Sequence, residues 1–219
     1  MTMNNVINRI TRDESLMLKT RIILTDELLT HLYGNRYLCR QKVMNLIYLF
    51  EYHLSLTEIN GVYYRTLSGP ANYHMLDEIE QTLKNIGWSK TKEVESESLY
   101  RSYIRTDEWQ DINYTELELE QDWQEKVSEI RRFAKVMKPM TNEDTMMITT
   151  VYAAWNDLKL SGISFSDNDI LRSIMDDWNM TYHQISRFNW RKTLAWLRSA
   201  EILPRGNGRK TIPLNHTSN

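Results

Sequence analysis

At 219 residues the chain is long enough for one large domain or two of about 100 residues each, and its 41% apolar and 26% charged residues, with only 7 Gly and 4 Pro, exclude a disordered chain. A net charge of -2, from 27 basic and 29 acidic residues, excludes attraction to nucleic acid by overall charge, so any DNA contact rests on a local basic patch. The single cysteine, Cys39, excludes a disulfide framework and a thiolate zinc site, no apolar run approaches the ~18 residues of a bilayer span, and Met1 to Arg12 lacks the apolar centre of a signal peptide; a cytoplasmic protein without a membrane partner is expected.

Leu18, Ile22, Leu29 and Leu32 recur at helical spacing, and Gly34 stops that helix. In the next helix Val43, Ile47, Phe50 and Leu54 form a stripe that Leu46 and Leu49 widen, which predicts burial on more than one side. Gly61 to Leu67 is rich in β-formers and closes on Ser68-Gly69-Pro70, a strand ending in a turn. Met75, Ile79, Leu83 and Ile86 share a helical face that Gly87 ends, and residues 88–94 and 99–104 are expected to pair as a hairpin. A charged helix follows over about 116–137, with Leu119, Trp123, Val127, Ile130, Ala134 and Met137 on one face. Its charges are graded, Glu116, Glu118, Glu120 and Asp122 early and Arg131, Arg132, Lys135 and Lys138 late, as the helix dipole favours.

The second half opens on Thr141-Asn-Glu-Asp144, a capping box for a helix carrying Ile148, Val151, Tyr152, Trp155 and Leu158 and ending at Ser161-Gly162. Ser166-Asp-Asn-Asp169 repeats the device before Ile170, Leu171, Ile174, Met175 and Trp178. A third helix over about 185–200 counts Phe188, Trp190, Leu194 and Leu197 among its apolar positions, and the loop Arg205-Gly-Asn-Gly-Arg-Lys210 follows. These elements predict a mainly α fold with short β hairpins. Two winged-helix-like units, 14–106 and 140–214, are expected to be joined by the charged helix within 107–139.

The densest basic cluster is Arg205, Arg209 and Lys210, to which Arg187, Arg191, Lys192 and Arg198 of the preceding helix add charge; together they are the candidate DNA contacts. Gly206-Asn-Gly208 is no phosphate loop, because no strand-to-helix context surrounds it. Trp109 and Trp123 are candidate protein-interface anchors, whereas Trp155, Trp178, Trp190 and Trp196 read as core. No catalytic or metal site is expected: Asp167 and Asp169 are explained by capping, Asp176 and Asp177 point apart on a helix, and His31, His53, His74, His183 and His216 are dispersed. Cys39 heads a helix and reads as a structural thiol. No cofactor follows from these residues, and a small-molecule substrate is not expected.

Residues 40–54, Gly61 to Pro70, Met75-Leu-Asp-Glu-Ile-Glu80 and Ile86-Gly-Trp88 resemble the helical modules appended to bacterial type I restriction-modification subunits, which carry a lysine-led apolar helix ending in Tyr-His, a Gly-Pro turn and a short helix closed by Gly-Trp. Val151-Tyr-Ala-Ala-Trp-Asn-Asp157, Ser166 to Ile170, Trp178, Lys192-Thr-Leu-Ala-Trp-Leu197 and Leu203-Pro-Arg-Gly206 are similar to the segment that often follows there. Where the family pattern continues after Gly-Pro with an aspartate-proline pair, this chain has Ala71-Asn72. The resemblance implies a non-catalytic accessory or assembly module of a restriction-modification or phage-defence system, contacting a protein subunit and DNA. A similar helix and Gly-Pro turn occur in antitoxin-like modules, which implies as the alternative an antitoxin or regulator that neutralises a protein partner.

Overall fold

The computed structural model describes residues 12–90, 103–109, 123–178 and 184–214, and the side chains of all of these but 12–15, 57 and 90. Among these residues the protein is mainly helical with a few short strands. They form two compact units that interleave along the chain, one from residues 12–43, 58–60, 73–90, 103–109 and 123–140, the other from 44–57, 61–72, 141–178 and 184–214.

The first unit is built on α1 (Arg12–Leu32), whose Ile22, Ile23, Leu24, Leu28, Leu29 and Leu32 are buried. It takes the first turn of α2 (Arg40–His53), the whole of α3 (Tyr73–Leu83), and α4 (Trp123–Met137). Both α3 and α4 pack on α1. On α4 Trp123, Val127, Ile130, Ala134 and Met137 are buried as the periodicity predicts, and Phe133, outside the predicted stripe, is buried with them. A 3-10 turn over Lys84–Ile86 ends at Gly87, whose φ of 85° is the left-handed cap expected there. Two further strands, Trp88–Lys90 and Tyr103–Arg105, pair antiparallel with Trp88 opposite Arg105, consistent with the predicted hairpin; residues 91–102 lie outside the described ones, as do 116–122 of the charged helix.

Polar ties close this unit. Arg131 donates to both carboxylate oxygens of the buried Glu27 at 2.8 and 2.7 Å, and Trp88 Nε1 donates to Asp26 at 2.7 Å. Arg40 Nε lies 2.9 Å from the buried Glu80, which also accepts from Tyr103 OH. Lys42, 0% exposed, donates through Nζ to the Met140 carbonyl at 2.6 Å just beyond α4, where helix-end carbonyls lack intrahelical partners.

The second unit holds the rest of α2 and the hairpin of β1 (Tyr64–Thr66) with β2 (Gly69–Ala71). Its helices are α5 (Asn142–Leu160), α6 (Asp167–Ser173), which runs on as a π-helical turn to Trp178, and α7 (Arg187–Ser199). Both predicted capping boxes form: Thr141 with Asp144, and Ser166 with Asp169. From Val151 to Asp157, α5 is buried on every side, with α6, α7 and β2 packed around it. A last strand (Ile212–Pro213) joins β1 in parallel, Tyr64 opposite Ile212, so the sheet order runs second hairpin strand, first, then C-terminal strand.

This pairing explains why the units do not follow the division into 14–106, 107–139 and 140–214. A two-stranded hairpin is marginal alone, and here its third strand and its covering helix come from the far end of the chain. The charged helix, expected as a joining segment, is part of the first unit and packs along α1.

Candidate nucleic-acid interface

The loop from residue 201 to 211 leaves α7 with Ile202 buried beneath it and returns to the sheet through the buried Thr211. Two adjacent polar residues of α5 hold it. Asn156 is 0% exposed, an unusual place for an amide unless both its ends are bonded. Its Oδ1 accepts from Gly206 N and its Nδ2 donates to the Asn207 carbonyl, each at 3.0 Å. Asp157 accepts from Thr211 N at 3.0 Å, from Thr211 Oγ1, and from Arg65 Nη2 at 3.3 Å. Burial pushes the Asp157 carboxyl above its ordinary value, and the Thr211 and Arg65 bonds offset only part of that rise.

Tyr52 supplies a third anchor, its hydroxyl donating to the Arg209 carbonyl at 3.0 Å and accepting from Arg209 N at 3.3 Å. The tyrosine sits in a ring cluster with Tyr48 and Tyr63, and Tyr63 donates to the buried Glu51. Burial raises the phenol pKa of Tyr48, Tyr52, Tyr63 and Tyr152, so at neutral pH these groups stay protonated, and Tyr52 and Tyr63 serve as donors, to the Arg209 carbonyl and to Glu51. Gly206 and Gly208 take φ of 73° and 74°, and a Cβ at Gly208 would run into the Tyr52 ring.

The loop backbone is therefore tied at four residues while Arg205, Arg209 and Lys210 remain exposed. Among the described residues, Arg205 and Lys210 meet hydroxyls, not carboxylates: Ser55 Oγ at 3.4 Å and Ser161 Oγ at 2.8 Å. A charge on a pre-ordered backbone loses little conformational entropy when it meets a phosphate.

The helix before the loop adds the rest of the cluster. Trp190, Thr193, Leu194 and Leu197 form the buried face of α7, and Ser186 caps it by accepting from Asn189 N. Arg187, Arg191, Lys192 and Arg198 are all exposed. Arg187 and Arg191 both aim an Nη2 at Asn168 Oδ1, at 3.1 and 3.3 Å, so two guanidinium groups share one neutral oxygen. Arg198 differs. Asp167 takes it at 2.7 Å, Trp155 lies 5.3 Å from its guanidinium carbon, and the pair lowers the Asp167 pKa while raising that of Arg198. Between residues 185 and 214 the cations share their segment with one acidic residue, Glu201.

Phe188 departs from the sequence expectation. Grouped there with Trp190, Leu194 and Leu197, it is 74% exposed, because at 100° per residue position 188 falls nearly opposite position 190. Arg191 and Lys192 follow it one turn later on the same face.

The other candidates lie elsewhere. Trp123 is 2% exposed, so its ring packs inside the first unit rather than facing solvent. Trp109 is half-buried, with the Arg105 guanidinium carbon 3.7 Å from its ring centre; Arg105 also faces Tyr33 and Trp88. Asp169 is used by the Ser166 cap, and Asp177 accepts from Ser173 Oγ at 3.0 Å. Asp169, Asp176 and Asp177 line an open cavity of about 310 Å³ with Ile163, Phe165 and Arg172, which pairs with Asp169 at 3.2 Å. Among the described residues no three His, Cys, Asp or Glu converge as metal ligands. Cys39 is buried, and no helix among them is long and apolar enough to cross a membrane.

Sequence reasoning missed Asn156, Asp157 and Tyr52. For Asn156 and Asp157 the signal was present as two adjacent polar residues directly after the apolar run Val151 to Trp155 of α5; Tyr52 carried no such local signal. Compared with protein-family models, with curated proteins and with solved structures, the chain matches none.

Proposed function

We propose that this protein is a non-catalytic binding module whose second unit grips a nucleic-acid backbone. The observation that carries the reading is the backbone-pinned loop 205–210, which presents Arg205, Arg209 and Lys210 outward while Asn156, Asp157 and Tyr52 hold it from beneath. Three helices followed by a basic loop fit a winged-helix plan in which a loop beside the third helix tracks phosphates, with the difference that the strand after this loop joins Tyr64 in place of a hairpin wing of its own. The resemblance to type I restriction-modification modules supplies the setting, a cytoplasmic restriction or phage-defence assembly with a protein subunit as second partner.

The test is a fluorescence anisotropy titration of the full chain against labelled duplex DNA at several salt concentrations. Replacing Arg205, Arg209 and Lys210 together by Ala weakens binding and flattens the salt slope, by about 0.9 for each phosphate no longer neutralised. Unchanged affinity and slope would remove nucleic acid from the function.

A further inference from the structure

We infer that the exposed face of α7 is a nucleotide site for an unpaired base, with Phe188 as its stacking platform and Arg187 and Arg191 as its phosphate fork. The inference rests on the nucleic-acid reading above and specifies the form of strand that the module takes.

Three observations converge. Among the described residues Phe188 is the most exposed of the large apolar side chains, at 74%, and it sits on the face opposite the buried Trp190, Leu194 and Leu197, so it contributes little to the core. An aromatic ring held out on a helix whose other face is buried offers a flat apolar surface, and every base has a π-face to lay on it. The second observation is electrostatic. Arg187 and Arg191 flank Phe188 in sequence and converge on Asn168 Oδ1 at 3.1 and 3.3 Å, although like charges so placed repel. A neutral amide oxygen stands where a phosphate oxygen would fit, and an anion there would relieve the repulsion that the amide cannot.

The third observation is the contrast along the same helix. Asp167 neutralises Arg198 one end away, whereas the partner found for Arg187 and Arg191 among the described residues is Asn168. Lys192, one turn beyond Phe188, is also exposed and extends the cationic border of the ring. An apolar patch bordered by cations fits a base with its phosphates better than an apolar protein surface, which would bury those charges uncompensated. A duplex hides its base faces by stacking, so only an unpaired strand or an extruded base can use the ring.

The experiment is a titration of the full chain against fluorescein-labelled oligothymidylate of about 12 nucleotides, an abasic strand with the same number of phosphates, and a duplex. Wild type binds the oligothymidylate at least about fivefold more tightly than the abasic strand. Phe188→Ala abolishes that difference and leaves duplex affinity within about twofold; Phe188→Leu, apolar without a π-face, behaves like Phe188→Ala, and an unchanged melting temperature shows both variants folded. Equal binding of base-bearing and abasic strands by wild type, or an undiminished preference in Phe188→Ala, overturns the inference. If the Arg205, Arg209 and Lys210 variant still binds duplex more weakly than wild type, the functional reading stands without it; if that variant binds as wild type does, the reading beneath falls as well.

Discussion

Replacing Asn156 by Ala separates the loop's order from its charge. The substitution removes two hydrogen bonds of 3.0 Å, to Gly206 N and the Asn207 carbonyl, and touches no cation. A hydrogen bond contributes about 0.5–1.5 kcal/mol net, and a group left without a partner costs about 1–3 kcal/mol more when it stays buried. Gly206 and Asn207 are only half-buried, so water reaches part of what Asn156 releases, and the expected loss of stability is about 2 kcal/mol. At this chain length that lowers the melting temperature by roughly 4–8 °C. The loop must then be re-ordered on binding. Fixing one backbone residue costs about 1–2 kcal/mol, a drop of roughly five- to thirtyfold in affinity for DNA. Calorimetry and anisotropy on the same sample measure both effects. Because the charge is untouched, the salt slope stays that of wild type. An unshifted melting temperature with unshifted affinity would refute the claim that Asn156 organises this loop.

Other substitutions probe the remaining parts. Gly208→Ala forces a side chain into a left-handed φ of 74° against the Tyr52 ring and is expected to cost about 1–3 kcal/mol in denaturant unfolding, whereas Gly34→Ala, at φ 75° with open space around it, costs about 1 kcal/mol. On the proposed nucleic-acid function, Asp167→Asn frees Arg198 for a phosphate: affinity for duplex DNA rises and the salt slope steepens, while stability changes by less than about 1 kcal/mol, as for any exposed pair. Arg40→Ala strips the guanidinium from the buried Glu80 and costs about 3–5 kcal/mol, read as a fall in the unfolding midpoint. Asp157 gives a pH dependence. Its carboxyl is raised above 3.8 in the folded protein, so the native state holds the proton more tightly than the unfolded chain, and this contribution to stability is lost as pH rises from 3.8 through the elevated value. Urea midpoints taken from about pH 4 to about 7 fall for wild type relative to Asp157→Asn; parallel curves would refute this.

Most of the helices were legible in the sequence because their signals are local. The Thr141 and Ser166 capping boxes, the αL stop at Gly87 and the α4 stripe from Trp123 to Met137 each depend on residues within about a turn or two of one another. The same local geometry, applied with the 100° rotation of a helix, places Phe188 away from Trp190; a list of apolar positions without that angle hides it. The basic cluster was legible as composition. Its division into the pinned loop, the Arg187 and Arg191 fork and the neutralised Arg198 was not, because each depends on a partner elsewhere in the chain.

By itself the sequence determined most of the described helices, the absence of a disulfide framework and the residues that carry positive charge, since those follow from side-chain chemistry and short-range spacing; the strands Gly69–Ala71 and Ile212–Pro213 it did not mark. Tertiary structure alone decided that Ile212 lies beside Tyr64, that Asn156 and Asp157 face the loop, and that α4 belongs with α1. The reason is physical: a strand pair or a buried amide is stable only where its partner's surface is brought to it, and partners separated by about fifty to a hundred and fifty residues leave no periodic trace in the chain between them.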